Sequence, residues 1–139
     1  MTEKPRFVIF AHNVTYDKLH QVGTLGLTAA AMGKDVTLVL LFRTIRKLAE
    51  GRFDEVDFAP EYQGAGDEVR RLLQEKKVPR VFEVFQEARA VGDFQPVACS
   101  AGLEYMGVDS DAVRKQVDTV MGLPTILALT AGAETTLFI

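Results

Sequence analysis

The stretch from Asp35 to Phe42, DVTLVLLF, is the clearest strand pattern in the sequence. Its apolar residues follow one another without alternation, which is typical of a strand buried on both faces, as in parallel sheets. A similar run, Phe7 to Ala11, precedes it, and Tyr16 to Met32 between them has helical spacing, with Gly33 fitting the position after the helix end. The first 42 residues therefore predict a β-α-β unit with parallel strands. The many Ala and Gly residues of its helix predict a close approach to a neighbouring backbone.

The rest of the chain continues the alternation of helices and strands. Helices are predicted over 44–50, from a cap at Asp67, over 80–91, 101–106, 109–116 and 123–131, and strands over 94–99, 117–120 and 135–139. This order predicts one α/β domain spanning 1–139, with a mostly parallel sheet.

Three local patterns carry more specific predictions. The helix after Asp67 should bury Val69, Leu72 and Leu73, and Pro96 argues against a central position for the third strand. Residues 80–91 also alternate imperfectly like a strand, but the flanking proline and glycine favour a helix.

The segment 52–66 has no periodicity and is predicted to be a surface loop. Its acidic residues are expected to form a solvated face: Asp54, Glu55, Asp57 and Glu61.

Composition excludes several classes of function. The chain has 139 residues, 16 Lys+Arg against 19 Asp+Glu and a net charge of −3, which argues against nucleic acid as a partner. No apolar run is long enough to cross a membrane, and the first residues do not lead into a signal-peptide pattern. A single cysteine, Cys99, excludes an internal disulfide framework. These features predict a cytoplasmic protein.

Two features predict a homo-oligomer. The last strand ends the sequence as Leu137-Phe138-Ile139 without a polar tail, and the mean hydropathy is slightly positive at +0.07. A partner subunit would cover the apolar end.

Candidate site residues follow the predicted strands. Ligands of open parallel sheets bind outside the carboxyl ends of the strands. We therefore expect the residues that follow the strands to lie at one edge of the sheet: His12, Asn13, Asp17, Lys18, Arg43, Cys99 and Ser100.

Cys99 is the strongest candidate for chemistry. It stands at a strand end just before a helix, where the helix dipole and free amide groups favour the thiolate, and Lys18 or Arg43 would favour it further. Alternatively, Cys99 is a small buried apolar residue, as free cysteines often are. His12 is either a base that orients the thiol or a polar loop residue, and His20 is structural or exposed.

The remaining motifs do not indicate a nucleotide-binding, hydrolase or metal site. Residues 64–67, GAGD, lack the third glycine of a dinucleotide loop and follow no strand, so they are interpreted as a loop before a helix cap. There is no phosphate-binding GxxxxGK[ST] loop and no GxSxG motif. No motif spacing supports a metal site, and no cofactor is predicted.

The segment VACSAGLEYMGVDSDAVRKQVDTVMG, with the order of elements around it, resembles the DsrE/DsrF/DsrH-like sulfur-relay family. Cys99 matches the cysteine of a family pattern like aCxxSxxxMG, and Met106-Gly107 match the pair that closes it. The final TTLFI is similar to the last strand of many members, particularly the larger ones described as peroxiredoxin-like. One position departs from the pattern, because Gly102 stands where the family has a serine.

The resemblance implies a three-layer α/β/α sandwich with a five-stranded, mostly parallel sheet that assembles as trimers or hexamers. It also implies that Cys99 accepts sulfane sulfur as a persulfide and passes it to a partner protein, without a cofactor. A lone cysteine cannot form an intramolecular disulfide, so release requires a partner thiol, which favours a carrier over a self-contained peroxidase.

Three hypotheses for function follow. The first is sulfur transfer through Cys99. Gly102, which replaces the serine of the family pattern, weakens the resemblance on which this activity rests. The second is a non-catalytic oligomeric binding or assembly module of the same fold, which a thiol sealed among Val97 and Leu103 would favour. The third is a small-ligand-binding domain that uses the strand ends without covalent chemistry.

Overall fold

Five parallel strands form one sheet in the computed structural model, which describes residues 3–139 apart from the side chain of Gln63. The strands are β1 (Arg6–Ala11), β2 (Asp35–Leu40), β3 (Asp93–Cys99), β4 (Thr119–Met121) and β5 (Thr135–Phe138). Their order across the sheet is β4-β3-β2-β1-β5, and every neighbouring pair is parallel. The sequence-based prediction of an α/β fold with a five-stranded parallel sheet is confirmed.

Seven α-helices and one 3₁₀ helix connect these strands within the described residues. The α-helices are α1 (Tyr16–Ala31), α2 (Arg43–Ala49), α3 (Gly66–Glu75), α4 (Val81–Val91), α5 (Ser100–Tyr105), α6 (Ser110–Arg114) and α7 (Leu123–Thr130). The 3₁₀ helix is Pro60–Ala65, inside the predicted loop.

The helices form two layers on opposite faces of the sheet. The connections from β1 to β4 all step in one direction, so right-handed crossovers put α1 to α6 on one face, here called the α1 face. The return from β4 to β5 puts α7 on the opposite face, here called the α7 face. On the α1 face, Gly26 approaches the Phe94 ring so closely that an added Cβ would lie 2.5 Å from it. On the α7 face, Arg6 Nη1 donates to the Leu129 and Ala131 carbonyls at the end of α7.

The apolar strand runs form the core, as their pattern predicts. Val36, Leu38, Val39 and Leu40 of β2 are all 0% exposed, because the strand is central and covered on both faces. Burying this much apolar surface is the main favourable term for folding. The prediction of a doubly buried strand is confirmed, although β2 ends at Leu40 and not at residue 42.

The small residues of α1 permit close packing: Ala30 lies against the backbone of Gly92, where an added Cβ would be 2.6 Å from the Ala30 carbonyl oxygen, and the glycines of α1 lie against side chains. A Cβ on Gly23 would lie 3.1 Å from Val84 Cγ1 and 3.2 Å from Phe85 Cε1 on α4. Glycine therefore lets α1 and α4 lie against each other above the sheet.

The prediction that Pro96 disfavours a central strand is wrong. β3 lies between β2 and β4, and Pro96 is paired with Leu38. On the β4 side the Pro96 carbonyl accepts from the Asp118 amide at 2.8 Å, but β4 has only three residues and begins opposite Val97, so no carbonyl of β4 requires an N–H from residue 96.

Smaller corrections concern α3 and β4. Asp67 lies within α3 and binds Arg70, while no side chain caps the helix at Ala65. Leu72, expected on the inner face, is 38% exposed. β4 begins two residues later than the predicted strand, because Val117 packs into the core before the ladder starts.

Candidate functional site

Cys99 is the last residue of β3 and the N-cap residue of α5. Its backbone is extended (φ −72°, ψ 124°), and its side chain makes no capping hydrogen bond. The predicted position, at a strand end before a helix, is therefore the observed one. The helix that follows has only six residues, so its dipole acts over little more than one turn.

The Cys99 side chain is almost sealed from solvent. The residue is 3% exposed, and its neighbours Val97 and Leu103 are 0% and 6% exposed. Side chains alternate along a strand, so Cys99 and Val97 point to the α7 face while Pro96 points to the α1 face. In the neighbouring strand Cys99 is paired with Met121, one residue before the Gly122 cap of α7. A thiol sealed among Val97 and Leu103 is the arrangement expected of a non-catalytic module.

The other predicted site residues do not converge on Cys99. His12, Asn13, Lys18, Arg43 and Ser100 are all exposed. Within residues 3–139, no hydrogen bond or salt bridge joins their side chains to one another or to the thiol. They share the carboxyl edge of the sheet, but the strand order spreads them along it.

The two residues after β1 contribute backbone groups to this edge. The amides of His12 and Asn13 donate to the Ile139 carbonyl, at 2.9 and 3.4 Å. Their place at the end of the β1–β5 pair keeps them away from Cys99, since β2 separates β1 from β3. His20, which the sequence leaves as structural or exposed, contacts the Pro79 carbonyl through Nε2 at 3.1 Å.

At Gly102, α5 lies close against α2 and the residue before it. An added Cβ would lie 2.6 Å from Ile45 Cδ1 and 3.1 Å from the Phe42 backbone nitrogen. The serine of the family pattern would fit here only if the Ile45 side chain moved and the Phe42 backbone gave way slightly. The glycine that replaces the family serine at residue 102 therefore permits the close packing of α5 against α2.

Phe42, between β2 and α2, has an unusual backbone. Its φ of 55° lies in the left-handed region, which bulky side chains rarely adopt. Its ring is 50% exposed and lies 6.4 Å from the ring of Tyr105, which is 69% exposed. Two aromatic rings therefore face solvent at the same edge as Cys99.

Arg43 lines a separate cavity of about 450 Å³ at this edge. Its walls also include Arg46, Lys47 and Asp57, whereas neither Cys99 nor Ser100 lines it. This cavity is dominated by charged side chains, and Arg43 makes no salt bridge within the described residues.

Two acidic residues of the segment 52–66 have structural roles that the sequence analysis missed. Asp57 binds the buried ammonium of Lys47 through both carboxylate oxygens, at 2.9 and 3.1 Å, and also accepts from the Tyr16 amide at 2.8 Å. Asp54 accepts from the Val81 amide at 2.6 Å at the start of α4. Each carboxylate satisfies amide groups at a helix start, so the prediction of a merely solvated acidic face is wrong for these two residues.

A search of residues 3–139 for three or more His, Cys, Asp or Glu side chains that could together hold a metal finds none. Among the same residues, no helix has the length and apolar character needed to cross a membrane.

Comparison with known proteins adds no family. No protein-family model matches the chain, and no curated protein has a significant sequence match to it. The resemblance to the DsrE-like proteins stays a prediction.

Proposed function

We propose that this protein carries sulfane sulfur as a persulfide on Cys99. The observation that supports the proposal is the position of the only cysteine, at the carboxyl end of an internal parallel strand and at the N-cap of the next helix. Ligand chemistry in open parallel sheets is concentrated at that edge. The resemblance of the surrounding segment to sulfur-relay proteins agrees with this assignment.

The transfer requires only thiol exchange. The Cys99 thiolate attacks the outer sulfur of a donor persulfide, R–S–SH, a new S–S bond forms, and the donor sulfur leaves as R–S⁻. The protein then holds Cys99–S–SH, and an acceptor thiolate removes the outer sulfur and returns the Cys99 thiolate. Atoms and electrons balance without an added oxidant, reductant or cofactor.

The burial of Cys99 imposes a condition on this chemistry. A thiol that is 3% exposed reacts only when part of its cover moves. The neighbouring cover is short, because β4 has three residues and α7 begins directly after Gly122. We propose that a sulfur donor or acceptor protein opens this segment, and that the closed form shields the persulfide from other thiols.

The exposed rings of Phe42 and Tyr105 provide a contact for such a partner protein. Aromatic residues are enriched in protein interfaces, and these two rings lie 6.4 Å apart, one beside Gly102 and the other at the end of the helix that follows Cys99. Partner thiols must stay reduced for the relay to work, so we also propose a cytoplasmic location.

Intact-mass measurement tests sulfur transfer directly. The protein is incubated with thiosulfate or with a low-molecular-weight persulfide, and its mass is measured before and after reduction. We expect a reducible gain of one sulfur, about 32 Da, in the wild type and none in Cys99→Ser. Absence of the gain with every donor, in a sample whose thiol reacts fully after unfolding, would refute the proposal.

A second candidate is a non-catalytic assembly module, and two observations favour it. Cys99 is buried, and exposed apolar side chains lie on the α7 side of the sheet: Leu123 is 48%, Leu127 62% and Phe138 68% exposed. Leu123 and Leu127 are four residues apart and so lie on the same side of α7. A second copy of this chain is the occupant that we propose for this surface, with a trimer or hexamer as the expected assembly.

Sedimentation velocity tests the assembly. We expect the wild type to sediment as an oligomer, and Leu127→Glu to shift it to the monomer because the charge would be buried in the interface. Leu72→Glu, a matched change at an exposed leucine of α3, should leave the oligomer unchanged. A wild type that is monomeric at high micromolar concentration would contradict this candidate, whatever the result for sulfur transfer.

A further inference from the structure

A cavity of about 470 Å³ lies on the α1 face of the sheet, away from Cys99. Its floor contains Leu40 of β2 and Pro96 of β3, whose side chains point to the opposite face from the thiol. Its volume falls in the range of pockets for small molecules, about 300–1,000 Å³. Neither the sulfur proposal nor the assembly proposal uses this space.

The floor and walls of the cavity are apolar and aromatic. Phe53, Phe85 and Val117 line it and are 5%, 7% and 6% exposed. The two rings meet edge to face at 5.9 Å, which fixes the wall that they form. Phe82, 46% exposed, stands at the mouth. These surfaces suit a flat apolar body.

The rim of the cavity carries three cationic side chains, Arg80, Arg89 and Lys115, and two carboxylates, Asp54 and Asp118. Asp118 pairs with Arg89 at 2.8 Å, and Asp54 is occupied by the amides at the start of α4. Arg80 lies 3.5 Å from Glu83, outside the cavity lining. Lys115 lines the cavity and makes no salt bridge within residues 3–139. An anionic group on the ligand would be its counter-ion.

We propose that this cavity binds a small molecule with a flat apolar body and one anionic group. The body lies on Phe53, Phe85 and Pro96, and the anion lies beside Lys115. A carboxylate, a sulfonate and a phosphate share this chemistry. The site is non-covalent and does not involve Cys99.

Two matched probes test the proposal on the full chain. Anilinonaphthalene sulfonate has the flat body and the anion, and N-phenylnaphthylamine has the same kind of body without the charge. Fluorescence titration and calorimetry should show one saturable site for each probe on the folded wild type. Cys99→Ser should bind both probes like the wild type, so this result is independent of the sulfur proposal.

Variants separate the charge from the apolar floor. Lys115→Gln should weaken binding of the sulfonate by about three- to fivefold and leave the uncharged probe unchanged, because one partly solvated ion pair is lost. Gln86→Trp places a large side chain at the exposed mouth of the cavity and should abolish binding of both probes. Lys76→Gln, at the exposed end of α3, is the matched control and should change neither affinity.

Two results would overturn the proposal. One is the absence of saturable, one-to-one binding of either probe to the folded wild type. The other is a Gln86→Trp variant that binds both probes as the wild type does while remaining equally stable in urea. An unchanged sulfonate affinity in Lys115→Gln would refute the assignment of the anion to that residue.

Discussion

The buried Lys47 ammonium should depend on Asp57 for its stability. The Lys47 side chain is 5% exposed, and its Nζ binds the Val14 carbonyl and both carboxylate oxygens of Asp57. Asp57→Asn keeps the size of the side chain and an oxygen that can accept from the Tyr16 amide, but it removes the counter-charge. The substitution therefore isolates the electrostatic part of the contact.

The expected loss follows from the burial of the two partners. Removing one partner of a fully buried ion pair costs about 3–5 kcal/mol, but the Asp57 side chain is 35% exposed and water can approach the ammonium in its place. We therefore expect Asp57→Asn to lower the free energy of unfolding by about 2 kcal/mol. With a urea dependence of about 2 kcal/mol per M, the midpoint falls by about 1 M.

Two further variants make this expectation refutable by urea denaturation. Glu55→Gln breaks the exposed Glu55–Arg52 pair and should leave the urea midpoint nearly unchanged, because water and salt screen that pair. In Lys47→Met with Asp57→Asn no buried charge is left alone, so part of the lost stability should return. The reasoning fails if Asp57→Asn is no more destabilising than Glu55→Gln, or if the double variant is less stable than Asp57→Asn.

Three further predictions concern packing and titration. Gly102→Ser should lower the free energy of unfolding, measured in urea, by about 1–3 kcal/mol, because its Cβ would lie 3.1 Å from the Phe42 nitrogen. An equal loss in Gly102→Ala would show that the added Cβ, and not the hydroxyl, is the cause. Gly92→Ala should also destabilise the protein by about 1–3 kcal/mol by thermal denaturation, because its Cβ would lie 2.6 Å from the Ala30 carbonyl oxygen; an unchanged melting temperature would contradict the packing seen there. Burial raises the pKa of Tyr16 above 10.0, so the stability it contributes is complete below pH 10 and is lost as the pH rises through the folded-state pKa. Unfolding measured from pH 9 to 11 should show a smaller decline in Tyr16→Phe, and equal slopes would exclude this role.

The alternation of helices and strands could be predicted because it depends on local pattern. The runs Phe7 to Ala11 and Val36 to Leu40 are apolar apart from Thr37, a pattern typical of strands buried on both faces. The glycine after α1 could also be predicted, and Gly33 has the positive φ, 81°, that this position requires. The position of the strand that contains Pro96 could not be predicted, because whether the sheet tolerates a proline there depends on the length of the neighbouring strand β4.

The candidate site shows the same division. The sequence alone placed Cys99 at a strand end before a helix, because both boundaries are marked by local residues. Its burial depends on which side chains pack over that end of the sheet, and these are not fixed by the residues next to it in the sequence. The pairing of Asp57 with Lys47 likewise joins a loop to a helix through a contact that no periodicity encodes.

The sequence by itself determined the fold class, the alternation of helices and strands and the single thiol available for chemistry, because these follow from residue type and spacing along the chain. Tertiary structure decided that Cys99 is sealed, that a side chain at residue 102 would collide with Ile45, and that a cavity opens on the opposite face. These features depend on which side chains meet across the sheet. Strand order and helix packing determine these contacts, and neither can be predicted from the local sequence pattern.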